Sequence, residues 1–422
     1  MIVQKGCFFV NILVLTSEYP GFFQDKENNI TPVVHYFTKE WVKSGHNVIV
    51  INNAVRYPYF VHLLPNFIKG MVTKKIGYSI MGTDYLREEE YVWEGVKVWR
   101  FPIIKYIPHG DFSESVINKQ IDKIKSVTTK LNFKPDLIIG HWPTPQMQIL
   151  SKIKSFYNCP TALTFHGTRY MLKPKFDYNK YLKNIDAIGF RNYSDAKKVQ
   201  EYLGLKELPY VCQSGIPDEY IEKIKPDFSK FNNMETIQFL YVGRLIDRKY
   251  VDVTIKALHE SQIDNFVFNI IGSGPCENAL RSLVSDLGME SKVKFLGRMS
   301  RDEVMSYYNK AHFFVMVSRD EAFGLVYLEA MCAGCIPIAA KGEGMDGIII
   351  DGNNGFLLNA GDKNELVDLI DHIGRYINND IVKLSLETRR DVEKISDSIV
   401  SKKYLEIIKE SIEKIQYKQI GT

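Results

Sequence analysis

The chain is poor in cysteine, with 6 cysteines in 422 residues. They are scattered through apolar and loop segments, a distribution that favours a reducing compartment over a disulfide framework. Cys332 and Cys335 form one C-x-x-C pair, but no second pair and no histidine cluster accompanies them in the sequence. The spacing therefore predicts ordinary packing of small side chains rather than a zinc or redox site.

Long apolar runs and a strong charge of one sign are also missing. No stretch reaches the length of a membrane-spanning helix, and the net charge is only +4. This mild charge permits attraction to an anionic membrane or a phosphorylated substrate, but it is far from the basic footprint of a nucleic-acid-binding protein. We expect a cytoplasmic protein without a nucleic-acid partner, either free or peripheral at the inner face of the membrane.

Short apolar runs alternate with amphipathic segments along almost the whole chain, which is the pattern of parallel strands covered by helices. Because 422 residues are too many for one typical core, we predict two α/β domains. The predicted strands are 11–16, 47–51, 96–100, 137–139, 161–164 and 187–190 in the first half, and 237–242, 266–271, 292–296, 313–316, 336–339 and 355–358 in the second.

A polar segment from Lys223 to Glu235 lacks a clear period and is predicted to be the linker. The predicted first domain covers residues 1–225 and the second covers residues 233–395. Residues 396–422 are predicted to form a charged amphipathic helix, which we expect to pack back on the first domain.

One region, residues 57–80, mixes aromatic and aliphatic side chains with lysines and breaks the alternation. Two interpretations are open. The segment from Arg56 to Lys75 could make an interfacial contact with an anionic membrane. Alternatively, it is a helical excursion whose apolar face packs on the first domain.

The segment from Ser318 to Ala340 carries two acids, Glu321 and Glu329, around an apparent helix start at Phe323-Gly324. A helix N-terminus attracts anions, and carboxylates beside it are good acceptors for sugar hydroxyls. If the span were fully helical, eight residues of rise would separate the two acids by about 12 Å. The pair is therefore predicted to hold both ends of one ligand.

Two glycine turns follow predicted strands of the second half. In the first, Gly243 lets the backbone turn where ligands bind in open α/β sheets, and Arg244 and Lys249 suit a diphosphate. A solvated charged turn is the alternative. The second turn, Gly272-Ser273-Gly274, is a weaker signal, because Pro275 can simply start the next helix.

Two histidines, His141 and His166, end adjacent strands of the first half. They could point toward the same crevice and donate hydrogen bonds or handle a proton. A structural role is the alternative for each of them.

Together these motifs resemble the retaining nucleotide-sugar glycosyltransferases of family 4, which have the GT-B fold. The likeness runs from about Asn11 to Ile370 and is strongest in the second half. The motifs are Gly243-Arg244 with Lys249, Gly272-Ser273-Gly274, E-A-F-G-L-V-Y-L-E-A-M from Glu321 to Met331, and D-G-N-N-G-F-L from Asp351 to Leu357.

The resemblance implies two Rossmann-like, doubly wound domains facing an interdomain cleft, with the acceptor on the first and the donor on the second. It also assigns roles to individual residues of this sequence. Arg244 and Lys249 would contact the donor diphosphate, Glu329 the ribose and Glu321 the transferred hexose. His166 would lie near the donor sugar. Phe323, Gly324 and Leu325 would make backbone contacts, and Gly243, Gly272 and Gly274 would line the donor site.

The acceptor-side candidates are Gly21 and His141. The first loop has Gly21 but not the paired glycines often seen there, and Tyr250 stands where a glycine commonly follows the lysine. Ser214-Gly215-Ile216-Pro217 replaces the usual Asn-Gly-Val-Asp. These departures affect the acceptor loop and the crossover between domains, but they leave the donor-binding residues intact.

The resemblance implies a hexosyltransferase that keeps the anomeric configuration and needs no metal or cofactor besides its nucleoside diphosphate-sugar co-substrate. The sequence offers no evident nucleophile, and the resemblance implies that the leaving diphosphate itself takes the acceptor proton. A glycan or lipid-linked acceptor in cell-surface polysaccharide biosynthesis is expected. Two alternatives stay open: a non-catalytic sugar-nucleotide-binding protein, and a sugar-nucleotide epimerase on the same fold.

Overall fold

The computed structural model describes residues 10–21, 32–65, 68–69, 86–106, 111–167, 177–232, 234–375 and 378–420. The strands are β1 (Asn11–Thr16), β2 (Asn47–Asn52), β3 (Val55–Arg56), β4 (Glu89–Trp93), β5 (Val96–Arg100), β6 (Ile103–Ile104), β7 (Leu137–His141), β8 (Thr161–Phe165), β9 (Ala187–Phe190), β10 (Tyr210–Val211), β11 (Ile237–Val242), β12 (Phe266–Ile271), β13 (Val293–Gly297), β14 (Phe313–Met316), β15 (Ile336–Ala340) and β16 (Phe356–Leu358).

Helices separate most of these strands. They are α1 (Val33–Lys43), α2 (Tyr59–His62), α3 (Glu114–Lys130), α4 (Gln146–Tyr157), α5 (Asn179–Leu182), α6 (Tyr193–Leu203), α7 (Asp218–Lys223), α8 (Val251–Glu260), α9 (Glu277–Asp286), α10 (Arg301–Lys310), α11 (Leu325–Cys332), α12 (Lys363–Ile373), α13 (Asn378–Glu393) and α14 (Asp397–Ile420). Within the described ranges, no helix is long and apolar enough to cross a membrane.

The chain divides into two compact α/β units. The first unit takes its residues from Met1–Phe190, Val199–Cys212 and Ser401–Thr422, and the second from Arg191–Lys198 and Gln213–Val400. Helix α14 therefore starts in the second unit and continues in the first. There the indole Nε1 of Trp41 donates a hydrogen bond to the Ser401 carbonyl at 2.8 Å.

The first unit contains an eight-stranded sheet with the order β10-β9-β8-β7-β1-β2-β5-β4. Its central strands are buried apolar runs, as expected when helices cover both faces of a parallel sheet. Because the chain winds outward from β1 to one side and from β7 to the other, the loops after β1 and β7 flank the topological switch point.

The second unit contains a six-stranded parallel sheet with the order β13-β12-β11-β14-β15-β16. This is the strand order 3-2-1-4-5-6 of a doubly wound nucleotide-binding sheet. Its switch point lies between β11 and β14, which pair through Phe239 with Phe313 and Leu240 with Phe314. Ligands in such sheets bind beside the carboxyl ends of these two strands.

Every strand predicted from the sequence is present, with ends that differ by at most two residues. The additional strands β3, β6 and β10 have two residues each. Strand β4 has five, but it is a sheet-edge strand with mostly exposed or half-buried side chains, so it lacks an apolar run. Apolar runs reveal buried strands and miss solvated ones.

The segment predicted to be the linker instead packs as part of the second unit. Phe231 is fully buried there, and the Lys230 ammonium donates hydrogen bonds to the carbonyl oxygens of Asn309 at 3.1 Å and Ala311 at 2.7 Å. Burial lowers the pKa of Lys230. Residues 213–225, placed in the first domain from the sequence, also cluster with the second unit, because Ile216 bridges to Ser396.

The C-x-x-C pair is buried in the core of the second unit, as predicted for packing side chains. Burial raises the pKa of Cys332 to about 11 and that of Cys335 to about 12. Such thiols are poor nucleophiles at neutral pH.

Candidate active site

The loops that follow β11 and β14 meet at the switch point of the second sheet. The Lys249 ammonium, at the end of a short 3-10 helix (Asp247–Lys249), donates a hydrogen bond to Oε2 of Glu321. The Arg248 guanidinium lies 3.5 Å from the same oxygen, and the Ser318 hydroxyl donates to it at 3.3 Å. Two positions predicted separately for a donor ligand are thus in direct contact.

Burial and charge act in opposite directions on Glu321. Burial alone would raise the pKa of this carboxyl, but the Lys249 ammonium and the Arg248 guanidinium together lower it below its usual value. Glu321 is therefore a carboxylate at neutral pH, and its oxygens accept hydrogen bonds. Burial lowers the pKa of Lys249, which is only 8% exposed, although Glu321 opposes this shift.

The two glycine turns allow the strand-end loops to approach each other closely. A Cβ added at Gly272 would lie 1.9 Å from the Gly243 carbonyl oxygen, and one at Gly274 would lie 2.1 Å from that of Leu245. The Leu245 N–H donates to the Ser273 carbonyl at 3.1 Å. These contacts account for the glycines as packing residues, and a role in donor binding stays a prediction.

Tyr250 adopts a left-handed backbone conformation with φ of 51° directly after Lys249. This explains why a glycine is the easier residue at this position, since glycine adopts positive φ at little cost. The tyrosine departs from the family pattern without changing the course of the loop, and α8 starts at the next residue.

Helix α11 begins at Leu325, with Gly324 as its N-cap residue at φ of 91°. The span from Glu321 to Glu329 is therefore not fully helical, and the 12 Å separation estimated for a continuous helix does not apply. Glu321 lies in the loop before the helix, and Glu329 lies one turn inside it. Phe323 is buried beneath the loop, with its ring 5.6 Å from the Arg191 guanidinium.

Glu329 has polar partners of its own. Arg301, the first residue of α10, donates from Nη2 to Oε1 of Glu329 at 2.7 Å, and the Tyr308 hydroxyl approaches Oε2 at 3.4 Å. The Arg301 guanidinium also lies 4.4 Å from the ring centre of Tyr220. The half-buried acid is thus held in one orientation by groups that no sequence motif had marked.

Arg244 differs from Lys249 although both follow β11. Its side chain is exposed, and the structure records no ion pair for it among the described residues. Its carbonyl oxygen accepts a hydrogen bond from the Tyr241 hydroxyl at 3.0 Å, which fixes the backbone of the turn. The guanidinium is therefore available to an anion in solution.

In the first unit, the structure brings the two predicted histidines together. Nδ1 of His141 lies 3.0 Å from Nε2 of His166, and the Trp142 ring stacks on His166 with centroids 4.0 Å apart. His141 is fully buried, whereas His166 is half-buried. Their proximity is confirmed, and their contact with a donor or acceptor stays a prediction.

Below the histidines, the Thr164 hydroxyl bonds to the hydroxyls of Tyr210, at 2.7 Å, and Tyr404. On the other side of the switch point, Gly21 follows β1 with φ of 91°. A Cβ there would lie 2.7 Å from the Trp93 ring, which explains the glycine by close packing. Residues 22–31 of the predicted acceptor loop lie outside the described residues.

Sequence reasoning missed Arg248, Arg301 and Glu343. Arg248 stands between Arg244 and Lys249 in the chain, but nothing in the sequence distinguishes it from a solvated charge. Glu343 follows β15, and its Oε2 accepts the Glu321 N–H at 2.8 Å. Burial raises the pKa of Glu343. No local pattern marks this acid as a partner of the Glu321 loop.

The fold and these side chains define a class: two-unit α/β proteins with doubly wound sheets, the second of which carries charged side chains at its switch point. Comparisons with known proteins narrow this class. Residues 222–383 match the family described as glycosyl transferases group 1. An uncharacterized glycosyltransferase of Methanocaldococcus jannaschii is 28% identical over 80% of this chain and 90% of its own length.

Another relative matches a shorter part of the chain. A GDP-mannose-dependent alpha-(1-6)-phosphatidylinositol monomannoside mannosyltransferase of Mycolicibacterium smegmatis is 30% identical over 29% of this chain and 34% of its own length.

Solved structures share the fold over nearly the whole chain. A glycosyltransferase from Rickettsia africae has a TM-score of 0.67 at 16% identity, covering 96% of this chain and 99% of its own. The Anabaena protein HepE, solved with UDP and glucose, has a TM-score of 0.63 at 17% identity, covering 95% of this chain and 100% of its own. The chain therefore has a two-domain GT-B-like fold, and the findings together support a glycosyltransferase of the group 1 type.

Proposed function

We propose that this protein is a retaining glycosyltransferase of family 4 that transfers a hexose from a nucleoside diphosphate-sugar to a glycan or lipid-linked acceptor. The observation that carries the proposal is the charged cluster at the β11/β14 switch point, where Lys249, Arg248 and Glu321 are in contact and Arg244 is exposed beside them. A phosphate group needs cations of this kind, and a hexose needs acceptors for its hydroxyls.

Four side chains of the second unit suit parts of a nucleotide-sugar. Arg244 and Lys249 bind the diphosphate, Glu321 accepts hydrogen bonds from the hexose, and Glu329 accepts them from the ribose. A carboxylate that the protein already holds in place loses little side-chain entropy on binding. The contacts of Glu321 with Lys249 and of Glu329 with Arg301 provide such restraint.

The proposed reaction exchanges one bond for another on the same face of the sugar. The bond between the anomeric carbon and the diphosphate oxygen breaks, and a bond from the acceptor hydroxyl oxygen to that carbon forms. The acceptor proton moves to an oxygen of the departing phosphate. The protein contributes positioning and stabilises the negative charge on the leaving group, chiefly through Arg244 and Lys249.

Exposed side chains near β3 and β6 support a membrane-associated acceptor in cell-surface polysaccharide synthesis. Tyr59 is 58% exposed, Phe60 67% and Leu63 61%. Exposure of Tyr59 and Phe60 on α2, and of Leu63 directly after it, favours the interfacial interpretation over packing on the first unit. The remainder of the segment predicted to contact membrane, residues 66–67 and 70–75, lies outside the described residues.

This membrane role has a direct test in vesicle binding. We expect F60S/L63S to bind vesicles containing anionic lipid less tightly than the wild type at low salt, because both apolar side chains would leave the interface. Equal binding by the two proteins would contradict the role of α2.

The test of the enzyme begins with thermal stabilisation by a panel of nucleoside diphosphate-sugars, since a ligand that binds the folded state raises the midpoint of unfolding. The stabilising donor is then incubated with candidate acceptors, and NMR identifies the anomer of the product. Transfer with retention and release of nucleoside diphosphate supports the proposal. Binding without turnover would favour a sensor, and an epimerised donor would favour an epimerase.

A further inference from the structure

The loop that carries Glu321 is held by side chains from other segments. Nη1 of Arg248 donates to the carbonyl oxygens of Arg319 at 3.2 Å and Asp320 at 3.1 Å, and the Arg319 N–H returns a hydrogen bond to the Arg248 carbonyl at 2.9 Å. From the opposite side, Glu343 accepts the Glu321 N–H. The loop before α11 is thus fixed through its backbone.

The backbone of this loop needs such restraint. Asp320 has φ of 55°, a left-handed conformation that is uncommon for residues other than glycine, although aspartate adopts it more readily than most. A residue keeps such a sparsely populated backbone conformation when its surroundings hold it there. Arg248 bonds to the Asp320 carbonyl itself, so it holds the loop at its least favourable residue.

Arg248 also shares the charge of Glu321 with Lys249. Lys249 is the cation that the proposed function assigns to the diphosphate, so one ammonium group would serve two anions once a donor binds. A buried carboxylate left without a cation is strongly unfavourable. Arg248 is the second cation within reach, at 3.5 Å from Oε2 of Glu321.

We propose that Arg248 is a positioning residue that holds Glu321 in its hexose-binding orientation and neutralises it while Lys249 contacts the diphosphate. This inference rests on the proposed function. It assigns Arg248 an indirect role, because its hydrogen bonds go to the loop backbone and to Glu321.

The first experiment compares R248M, which removes both the positive charge and the forked guanidinium hydrogen-bond donors, with R248K, which restores the charge alone. We expect kcat/KM for the donor to fall by about 10²-fold in R248M, the loss expected from misplacing a substrate-binding group by about 1 Å. R248K should recover part of this loss. Discrimination between two donor hexoses should fall in R248M, whereas affinity for nucleoside diphosphate alone should change much less.

The matched control is R319M, since Arg319 lies in the same loop with its side chain 62% exposed. It should keep wild-type activity and hexose discrimination. If R319M loses as much as R248M, any change to the loop impairs the enzyme, and the specific role of Arg248 is wrong.

A double-mutant cycle with E321A shows whether Arg248 acts through Glu321. If it does, R248M lowers kcat/KM strongly in the wild-type background and by less than about threefold in the E321A background, because coupled residues are not additive. An equal factor in both backgrounds would mean that Arg248 acts on the donor directly and would overturn the inference.

Hydrogen exchange of the amides from Ser318 to Gly324 separates failure of this inference from failure of the proposed function. We expect R248M to speed exchange there, while R319M leaves it unchanged. Faster exchange in a protein that transfers no sugar would refute the glycosyltransferase function and leave the loop restraint standing. Unchanged exchange in R248M would refute the inference whatever the activity.

Discussion

The switch points of the two sheets share a topology and differ in chemistry. At β11 and β14 the contacts are ionic, with Lys249 and Arg248 on Glu321. Beside the switch point of the first sheet, at the ends of β7 and the neighbouring β8, they are contacts among imidazole, indole and hydroxyl groups, as in the pair of His141 with His166. The fold places loops at the carboxyl ends of strands, and the side chains decide which substrate each loop can bind.

Two cations of the second unit also differ from each other in burial and pairing. In the second unit, Lys249 is buried and paired, whereas Arg244 is exposed five residues earlier. Lys249 therefore contributes to the folded structure as well as to the proposed donor site, whereas the exposed Arg244 is proposed to act on the donor alone. Mutations that remove each charge distinguish these roles.

The largest effect is expected from K249M. Turnover should fall by about 10³-fold, because the departing diphosphate loses a buried cation. The free energy of unfolding should fall by about 3 kcal/mol, because the buried Glu321 loses one of its two cationic partners and keeps only Arg248. Steady-state kinetics and urea unfolding measure the two effects. The control K256M removes a half-buried lysine paired with Asp252 on α8, and equal losses there would contradict the assignment.

The next effect is expected from R244M. Turnover should fall by about 10²-fold through loss of leaving-group stabilisation, while the unfolding midpoint stays within about 2 °C because the side chain is exposed. Kinetics and thermal unfolding test both parts, with R390M on α13 as the exposed control. Normal turnover in R244M would remove Arg244 from the donor site.

A smaller effect is expected from E329Q. The amide keeps the shape but loses the charge that pairs with Arg301, so the Kd for nucleoside diphosphate should rise about tenfold. Titration calorimetry measures it. E277Q removes a comparable surface pair with Arg281 on α9 and should bind as the wild type does. Unchanged affinity in E329Q would contradict the proposed contact between Glu329 and the ribose.

The smallest effect is expected in the first unit, from H166F. The phenyl ring can keep the stack on Trp142 but not the hydrogen bond with His141, so transfer should slow about fivefold, the value of one ordinary hydrogen bond. Affinity for nucleoside diphosphate alone should not change. The control H259F alters an exposed histidine on α8. A loss above about 10²-fold would instead indicate proton transfer by His166.

The sequence predicted the buried strands well because each is a short apolar run bounded by polar turns. It failed for β4, whose side chains are mostly exposed or half-buried, and for the supposed linker, where polar composition concealed the buried contacts of Lys230. A polar segment inside a domain looks like a linker when its hydrogen-bond partners are far away in the chain.

Some residues of the candidate site could be selected from the sequence, and others could not. Arg244, Lys249, Glu321 and Glu329 were predictable because their motifs lie at the ends of recognisable strands and helices. Arg248 and Glu343 were not, since one resembles a solvated charge and the other belongs to no motif. Their importance appears only in their contacts with the Glu321 loop.

By itself, the sequence determined the periodic elements and the strand ends that carry charge, because apolar periodicity and turn residues act over a few neighbouring positions. The tertiary structure decided which of these charges meet. Lys249 and Glu321 are 72 residues apart in the chain, and Glu321 and Glu343 are 22 apart. Such contacts depend on the order in which strands pair in the sheet, and no local pattern carries that order.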